Sequence, residues 1–344
     1  MRELRVIQED LCFILVIELI FCLVSLNFSQ SVQMYRPIRP SSSEFIQLRG
    51  YSYHVRVWGD SKNNQSSKPL VLLHGWMDVG ASFQFFVDAL QQDRLILAPD
   101  WRGFGLTKSL SGEDEQTDHF VFADYLADLD FLMDHYFANQ SVDLLGHSMG
   151  ANVCMLYAGI RPERIAKLIN LEGFGMAKTR PAQAPNRYVK WFDELKKFHQ
   201  GEMRLNDYES SSAVADRLKK TNPRISNDKA EWLATQWARA DARGRWQILG
   251  SAAHKLTSAN LYREDECREI HKRITAPVLC ITGEEDSLKK YWGESYKKDE
   301  FYERMSVIEC ITHQQLSNAG HMLHHDQPTE LAHLVESFLS ETNR

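Results

Sequence analysis

The sequence predicts an α/β protein: a mostly parallel, eight-stranded sheet flanked by helices and interrupted by a helical insertion. Three observations carry this expectation. From residue 45 onward, short β-rich runs alternate with helical patterns, the order that builds a parallel sheet with crossover helices. About a hundred residues between Gly175 and Arg273 break that alternation. A glycine-flanked serine, Gly146-His147-Ser148-Met149-Gly150, sits between a β-rich run and an apolar helical one.

The strands are expected at Phe45–Leu48, Tyr51–Trp58, Leu70–His74, Arg94–Pro99, Val142–Gly146, Ala166–Leu171, Pro277–Gly283 and Met305–Leu316. Between Ala123 and Phe137, Leu126, Leu129, Met133 and Tyr136 recur at helical spacing, which predicts an amphipathic helix against the sheet. Asp124, Asp128 and Asp134 fall elsewhere on that wheel and read as a solvated face. Val153, Leu156 and Tyr157 continue the helix after the serine turn, and Glu330–Leu339 closes the fold. The expected organisation is 1–33 as a hydrophobic extension or anchor, 34–174 and 274–344 as the α/β core, and 175–273 as a helical cap.

Composition narrows the function classes. The 344 residues are 43% hydrophobic and 25% charged with a net charge of −6, values of a globular chain with no cationic surplus for a phosphate backbone. Nucleic acid is therefore not an expected partner. Residues 178–273 hold 20 basic and 13 acidic side chains, so the insertion is positive within an acidic protein. Its Trp191, Trp232, Trp237 and Trp246 suit either the aromatic roof of a pocket or a small core of their own. Six cysteines, Cys12, Cys22, Cys154, Cys267, Cys280 and Cys310, show no C-x-x-C spacing and read as reduced thiols.

Leu11–Phe28 is an 18-residue apolar run, about 27 Å long as a helix against a hydrocarbon core of about 30 Å. Glu18 lies near its middle, no positively charged region precedes it, and Met34 offers a second start. An extension outside the fold, a membrane anchor and a cleaved signal remain open readings. A cytoplasmic location is the first expectation, with membrane contact through Leu11–Phe28 as the alternative.

The serine turn carries the chemical signal. Glycines two residues to either side suit a strained, crowded backbone that lifts the Ser148 hydroxyl clear of the sheet edge. A serine hydroxyl is a weak nucleophile at neutral pH and needs a base within hydrogen-bond reach. His321 follows the last strand in Asn318-Ala319-Gly320-His321 and is the expected base, with His313, His324 and His325 as competitors. A carboxylate must then orient the imidazole. Asp286, after the strand Pro277–Gly283, is the leading choice; Glu284, Glu285 and Glu172 are alternatives. The backbone N–H groups of Met149 and Trp76 are the expected donors to an oxyanion. The tail His321-Met322-Leu323-His324-His325-Asp326 invites a metal reading but lacks H-E-x-x-H, so no metal or cofactor is expected.

With these residues in view, the chain resembles the α/β-hydrolase superfamily across roughly residues 45 to 340. The resemblance rests on H-G-W at 74–76, D-W-R-G-F-G at 100–105, G-H-S-M-G at 146–150, G-E-E-D at 283–286 and G-H at 320–321, in the family's order. It implies structural roles for Asp100 and Arg102, and a serine hydrolase of the esterase class acting on a small-molecule acyl compound. Epoxide hydrolases and haloalkane dehalogenases share the layout but carry an aspartate nucleophile, against Ser148 here. Other chemistries of the family imply two alternatives, a cofactor-free dioxygenase or C–C-bond hydrolase and a non-catalytic ligand-binding protein. Ser287-Leu288-Lys289-Lys290 replaces the apolar-Pro segment that often follows the family's acid.

Overall fold

A computed structural model describes residues 34–60, 67–112 and 117–341. The run Leu11–Phe28 and its two cysteines lie outside these residues. Among the described residues, no helix is long and apolar enough to cross a membrane, and Cys154, Cys267, Cys280 and Cys310 are free thiols.

Eight strands form the main sheet: β1 (Ser42–Leu48), β2 (Tyr51–Trp58), β3 (Leu70–Leu73), β4 (Ile96–Pro99), β5 (Val142–His147), β6 (Ile165–Leu171), β7 (Val278–Gly283) and β8 (Ile311–Leu316). Their spatial order is β1-β2-β4-β3-β5-β6-β7-β8, and the two-residue strand Lys108–Ser109 pairs with β2. β1, β2 and β4 meet antiparallel; every pairing from β4 through β8 is parallel. The sequence placed all eight. Its last strand began too early, because Met305 ends the helix Lys298–Met305 instead.

Strand periodicity sorts the core onto two faces. On β3, Val71 and Leu73 join one apolar cluster with Leu129 and Val153. Leu70 and Leu72 join the opposite cluster with Leu331 and Val335. The helices Phe122–Phe137 and Met149–Ile160 thus cover one face and Pro328–Ser340 covers the other.

The helix Phe122–Phe137 departs from its expected polar face. Asp128 is fully buried, where Arg102 grips it through Nε and Nη2 at 2.5 Å each. Arg49 adds a contact at 2.7 Å and the Tyr53 hydroxyl donates at 2.8 Å. Asp134 stays exposed beside Arg164. The helical wheel cannot distinguish these two aspartates, because the cations that make burial tolerable come from β1–β2 and the turn after β4.

Between β6 and β7 the chain forms helices Ala184–His199, Ser211–Thr221 and Asn227–Trp237. It also forms three short strands, Asp207–Tyr208, Ala238–Ala240 and Trp246–Ile248, paired as a small antiparallel sheet. These strands were not expected among helices and loops. Trp232 belongs to an apolar cluster that includes Val79, Ala81 and Phe85 from the segment after β3, and Trp237 and Trp246 pack against that cluster. Those tryptophans therefore join the insertion to the core, whereas Trp191 belongs to a separate aromatic group with Tyr188 and Phe192. Further ties are Trp237 Nε1 to the Met77 carbonyl at 2.9 Å and Asn222 to Asp326 at 2.7 Å. The helix Glu264–His271 packs on Met149–Ile160 so closely that a Cβ on Gly159 would lie 2.1 Å from the Ile270 carbonyl.

Candidate active site

Parallel strands β3, β5, β6, β7 and β8 deliver their carboxyl ends to one edge of the sheet, the usual place for a site in such folds. Ser148 follows β5 with φ +52° and ψ −114°, a conformation that costs a non-glycine residue about 1–3 kcal/mol. The glycines around it are required by space. A Cβ on Gly146 would lie 2.4 Å from the Ala151 nitrogen, and one on Gly150 would lie 2.1 Å from the Leu73 carbonyl. The Ser148 N–H donates to Leu171 at 2.8 Å, locking the turn to the end of β6.

His321 comes from beyond β8, three strands along the sheet from β5, and its loop must cross the end of β7 to reach the serine. Gly283 permits the crossing: a Cβ there would lie 2.6 Å and 2.7 Å from the carbonyls of Ala319 and Gly320. The His321 Nε2 then stands 3.0 Å from Ser148 Oγ. His313 is exposed on β8, and His324 and His325 are buried against Ser82.

The carboxylate beside His321 is Glu172, not Asp286. Glu172 Oε2 lies 3.1 Å from His321 Nδ1, and its Oε1 accepts from the Gly283 N–H at 2.7 Å. Glu172 directly follows β6 with φ +55°, and its side chain is 1% exposed. The acids after β7 are committed elsewhere. Asp286 caps the helix Ser287–Trp292 by accepting from Lys289 N–H at 2.9 Å. Glu284 accepts from Asn318 N–H at 2.8 Å, and Glu285 pairs with Arg224 of the insertion at 2.6 Å. The leading sequence choice thus gives way to one of its alternatives. What decides between them is the strand order: β6 lies between β5 and β7, which sets Glu172 beside both the serine turn and Gly283.

Met149 opens the helix behind Ser148, and Trp76 lies in the turn after β3, 52% exposed. Between them, Gly75 approaches so closely that its Cβ would stand 3.2 Å from the Ser148 Cβ. His74 orients this turn. Its Nε2 accepts from Trp101 N–H at 3.0 Å, so its Nδ1 proton goes to the Gly75 carbonyl 2.8 Å away. Because a trans peptide sets C=O and N–H in opposite directions, this bond turns the Trp76 N–H away from His74. Burial lowers His74 to about 4 and keeps it neutral for the task.

The D-W-R-G-F-G turn is architecture. Asp100 accepts from Gly80 N–H at 2.7 Å and Leu106 N–H at 2.9 Å, and meets His54 Nδ1 at 2.7 Å. Burial alone would raise its pKa, but the His54 bond and the other donors leave it lowered. The Tyr291 ring stands edge-on 5.1 Å from that of His321. A hydroxyl, an imidazole and a buried carboxylate in hydrogen-bonded line can move a proton off the hydroxyl as it attacks.

Comparison with known proteins agrees with this architecture. The family described as alpha/beta hydrolase fold matches residues 68–328. A serine hydrolase-like protein of Danio rerio is 23% identical over 317 residues, covering 88% of this chain and 90% of its own. One from Dictyostelium discoideum is 24% identical over 315 residues, covering 85% and 79%. A solved structure of a hypothetical protein from Pseudomonas aeruginosa PAO1 superposes with a TM-score of 0.74 at 22% identity, covering 87% of this chain and 99% of its own.

Proposed function

As the chain belongs to the alpha/beta hydrolase fold family, we propose that it is a serine hydrolase cleaving a carboxylic ester or related acyl compound through an acyl-enzyme. The observation that carries the reading is the relay Ser148 Oγ, His321 Nε2 and Nδ1, Glu172 Oε2, with steps of 3.0 Å and 3.1 Å. The names of the curated relatives in zebrafish and Dictyostelium support a serine hydrolase.

In this mechanism Ser148 Oγ attacks the acyl carbon while His321 Nε2 takes its proton. Glu172 holds the ring by its Nδ1 proton and offsets the imidazolium charge. The oxyanion is received by the backbone N–H groups of Met149 and Trp76, fixed by the helix start and by the His74–Gly75 bond. The tetrahedral intermediate collapses as His321 gives its proton to the leaving group, which departs as an alcohol or thiol. Water then enters, loses a proton to His321 and releases the acid, and Ser148 recovers its hydrogen. The insertion's surplus positive charge and the Arg224–Glu285 tie lie outside this chemistry.

The test is an ester panel varying acyl length and leaving group, alongside labelling with a fluorophosphonate. Wild type should be labelled and should release acid; Ser148→Ala should do neither. Equal labelling of both proteins would remove Ser148 from the proposal, and tight ligand binding without turnover by folded protein would mark a binding protein instead.

A further inference from the structure

Behind the nucleophile lies a second group of side chains that the hydrolytic relay does not use. Asp78 comes from the segment after β3, His147 ends β5, and His324 lies in the helical turn Leu323–Asp326. All three are buried, and one ligand atom from each lies within 4.8 Å of those of the other two. Asp78 Oδ2, His147 Nδ1 and His324 Nδ1 have no hydrogen-bond partner.

The opposite end of each side chain is already held. Asp78 Oδ1 accepts from Val79 N–H at 2.9 Å. His147 Nε2 lies 2.8 Å from the His321 carbonyl; a carbonyl only accepts, so the proton is on Nε2 and Nδ1 presents a lone pair. His324 Nε2 lies 3.0 Å from Ser82 Oγ and 4.0 Å from Asp78 Oδ2; Ser82 Oγ also meets His325 Nε2 at 2.7 Å, and with the single hydroxyl hydrogen given to His325, His324 donates from Nε2 and leaves Nδ1 bare.

With Asp78 ionised and His324 in that tautomer, the unanswered atoms are acceptors without a donor among them. A water molecule has two hydrogens and cannot serve three such acceptors; a cation answers all three. Two imidazoles and one carboxylate, each fixed from behind by another hydrogen bond, are the ligand set and outer support of a first-row divalent metal, zinc above all. Magnesium and calcium prefer oxygen alone.

We propose that Asp78, His147 and His324 form a buried zinc-binding site that ties together the segment after β3, the end of β5 and the turn after His321. Zinc bonds of about 2.0–2.1 Å place tetrahedral ligands ~3.3 Å apart. The observed cluster is therefore a looser version that contracts on binding. The ion clamps the three segments that carry Trp76, Ser148 and His321, and stabilises the folded chain by mass action. No step of hydrolysis passes through it.

The full chain, stripped with a chelator and dialysed, is titrated with zinc chloride by calorimetry and, separately, with cobalt(II) by visible absorption. Wild type should take up one equivalent, show cobalt d–d bands without thiolate charge transfer, and melt at a higher temperature with zinc than without. Asp78→Asn and His324→Gln, checked for folding by circular dichroism, should each bind at least a hundredfold more weakly and lose the thermal shift. Absence of uptake by wild type would overturn the proposal, as would equal uptake by wild type and both folded variants. Should the variants not fold, the wild-type cobalt spectrum decides: a thiolate band would assign the metal to cysteine and reject this site.

Discussion

Glu172 Oε2 stands 3.1 Å from His321 Nδ1, so the residue directly after one central strand meets an imidazole from beyond the last strand of the sheet. The distance is set by two anchors. Gly283 N–H holds the other carboxylate oxygen at 2.7 Å, and the lack of a side chain on Gly283 lets the His321 loop pass overhead.

The first prediction separates Glu172 from Asp286. Glu172→Gln keeps the volume but removes the charge that orients the imidazole, and should lower kcat by about 10⁴-fold, as for the equivalent loss in a serine protease. Asp286→Ala should cost ~1 kcal/mol through the lost helix cap and leave turnover near wild type. Steady-state kinetics and urea midpoints measure both; the reverse pattern would restore Asp286.

Gly150 should tolerate no side chain. A Cβ there meets the Leu73 carbonyl at 2.1 Å, backbone against backbone, with no flexible group to yield. Gly150→Ala should destabilise by about 1–3 kcal/mol or more, read as a lower midpoint of chemical denaturation. An unchanged midpoint would mean that the turn can reshape.

Asp128 holds Arg102, Arg49 and Tyr53 within a buried network. Removing one partner of such a pair leaves uncompensated charge inside the protein, so Asp128→Asn should cost about 3–5 kcal/mol. Equilibrium unfolding of the variant would show the loss. A variant within experimental error of wild type would return Asp128 to the solvated face that its helical position suggests.

His254 supplies a pH test. Its ring stacks 3.8 Å from Phe104 and 4.0 Å from Phe120, and burial lowers its pKa from 6.5 to about 3. Below pH 6.5 the unfolded chain takes up a proton that the folded ring refuses, so stability falls with acidification until the folded pKa is passed. Between pH 7 and pH 5 this should remove ~2 kcal/mol in wild type that His254→Leu does not lose. Urea titrations of both proteins at the two pH values give the difference, and parallel pH dependences would contradict it.

The residues differ in how openly the chain announced them. Ser148 and His321, which the structure sets 3.0 Å apart, each sit in a local pattern: glycines at fixed offsets around a strained serine, and a Gly-His pair after the last strand. Asp286 was misread for the same reason, since an acid after a strand looks alike whether it faces an imidazole or caps the next helix. Asp128 carries no local mark of burial, because its partners lie on other elements. The cluster of Asp78, His147 and His324 is spread over three segments, so no spacing in the sequence could signal it.

By itself the sequence determined the alternation of strands and helices, the serine turn and the histidine that follows β8. These follow from side-chain periodicity and from backbone conformations that few residues adopt, both set within a few positions along the chain. Only the tertiary structure decided which carboxylate meets His321, how the insertion's tryptophans join it to the core, and which buried atoms converge beside the nucleophile. Those outcomes depend on the order of strands across the sheet and on where one loop crosses another, and hydrogen bonds reach only about 3 Å.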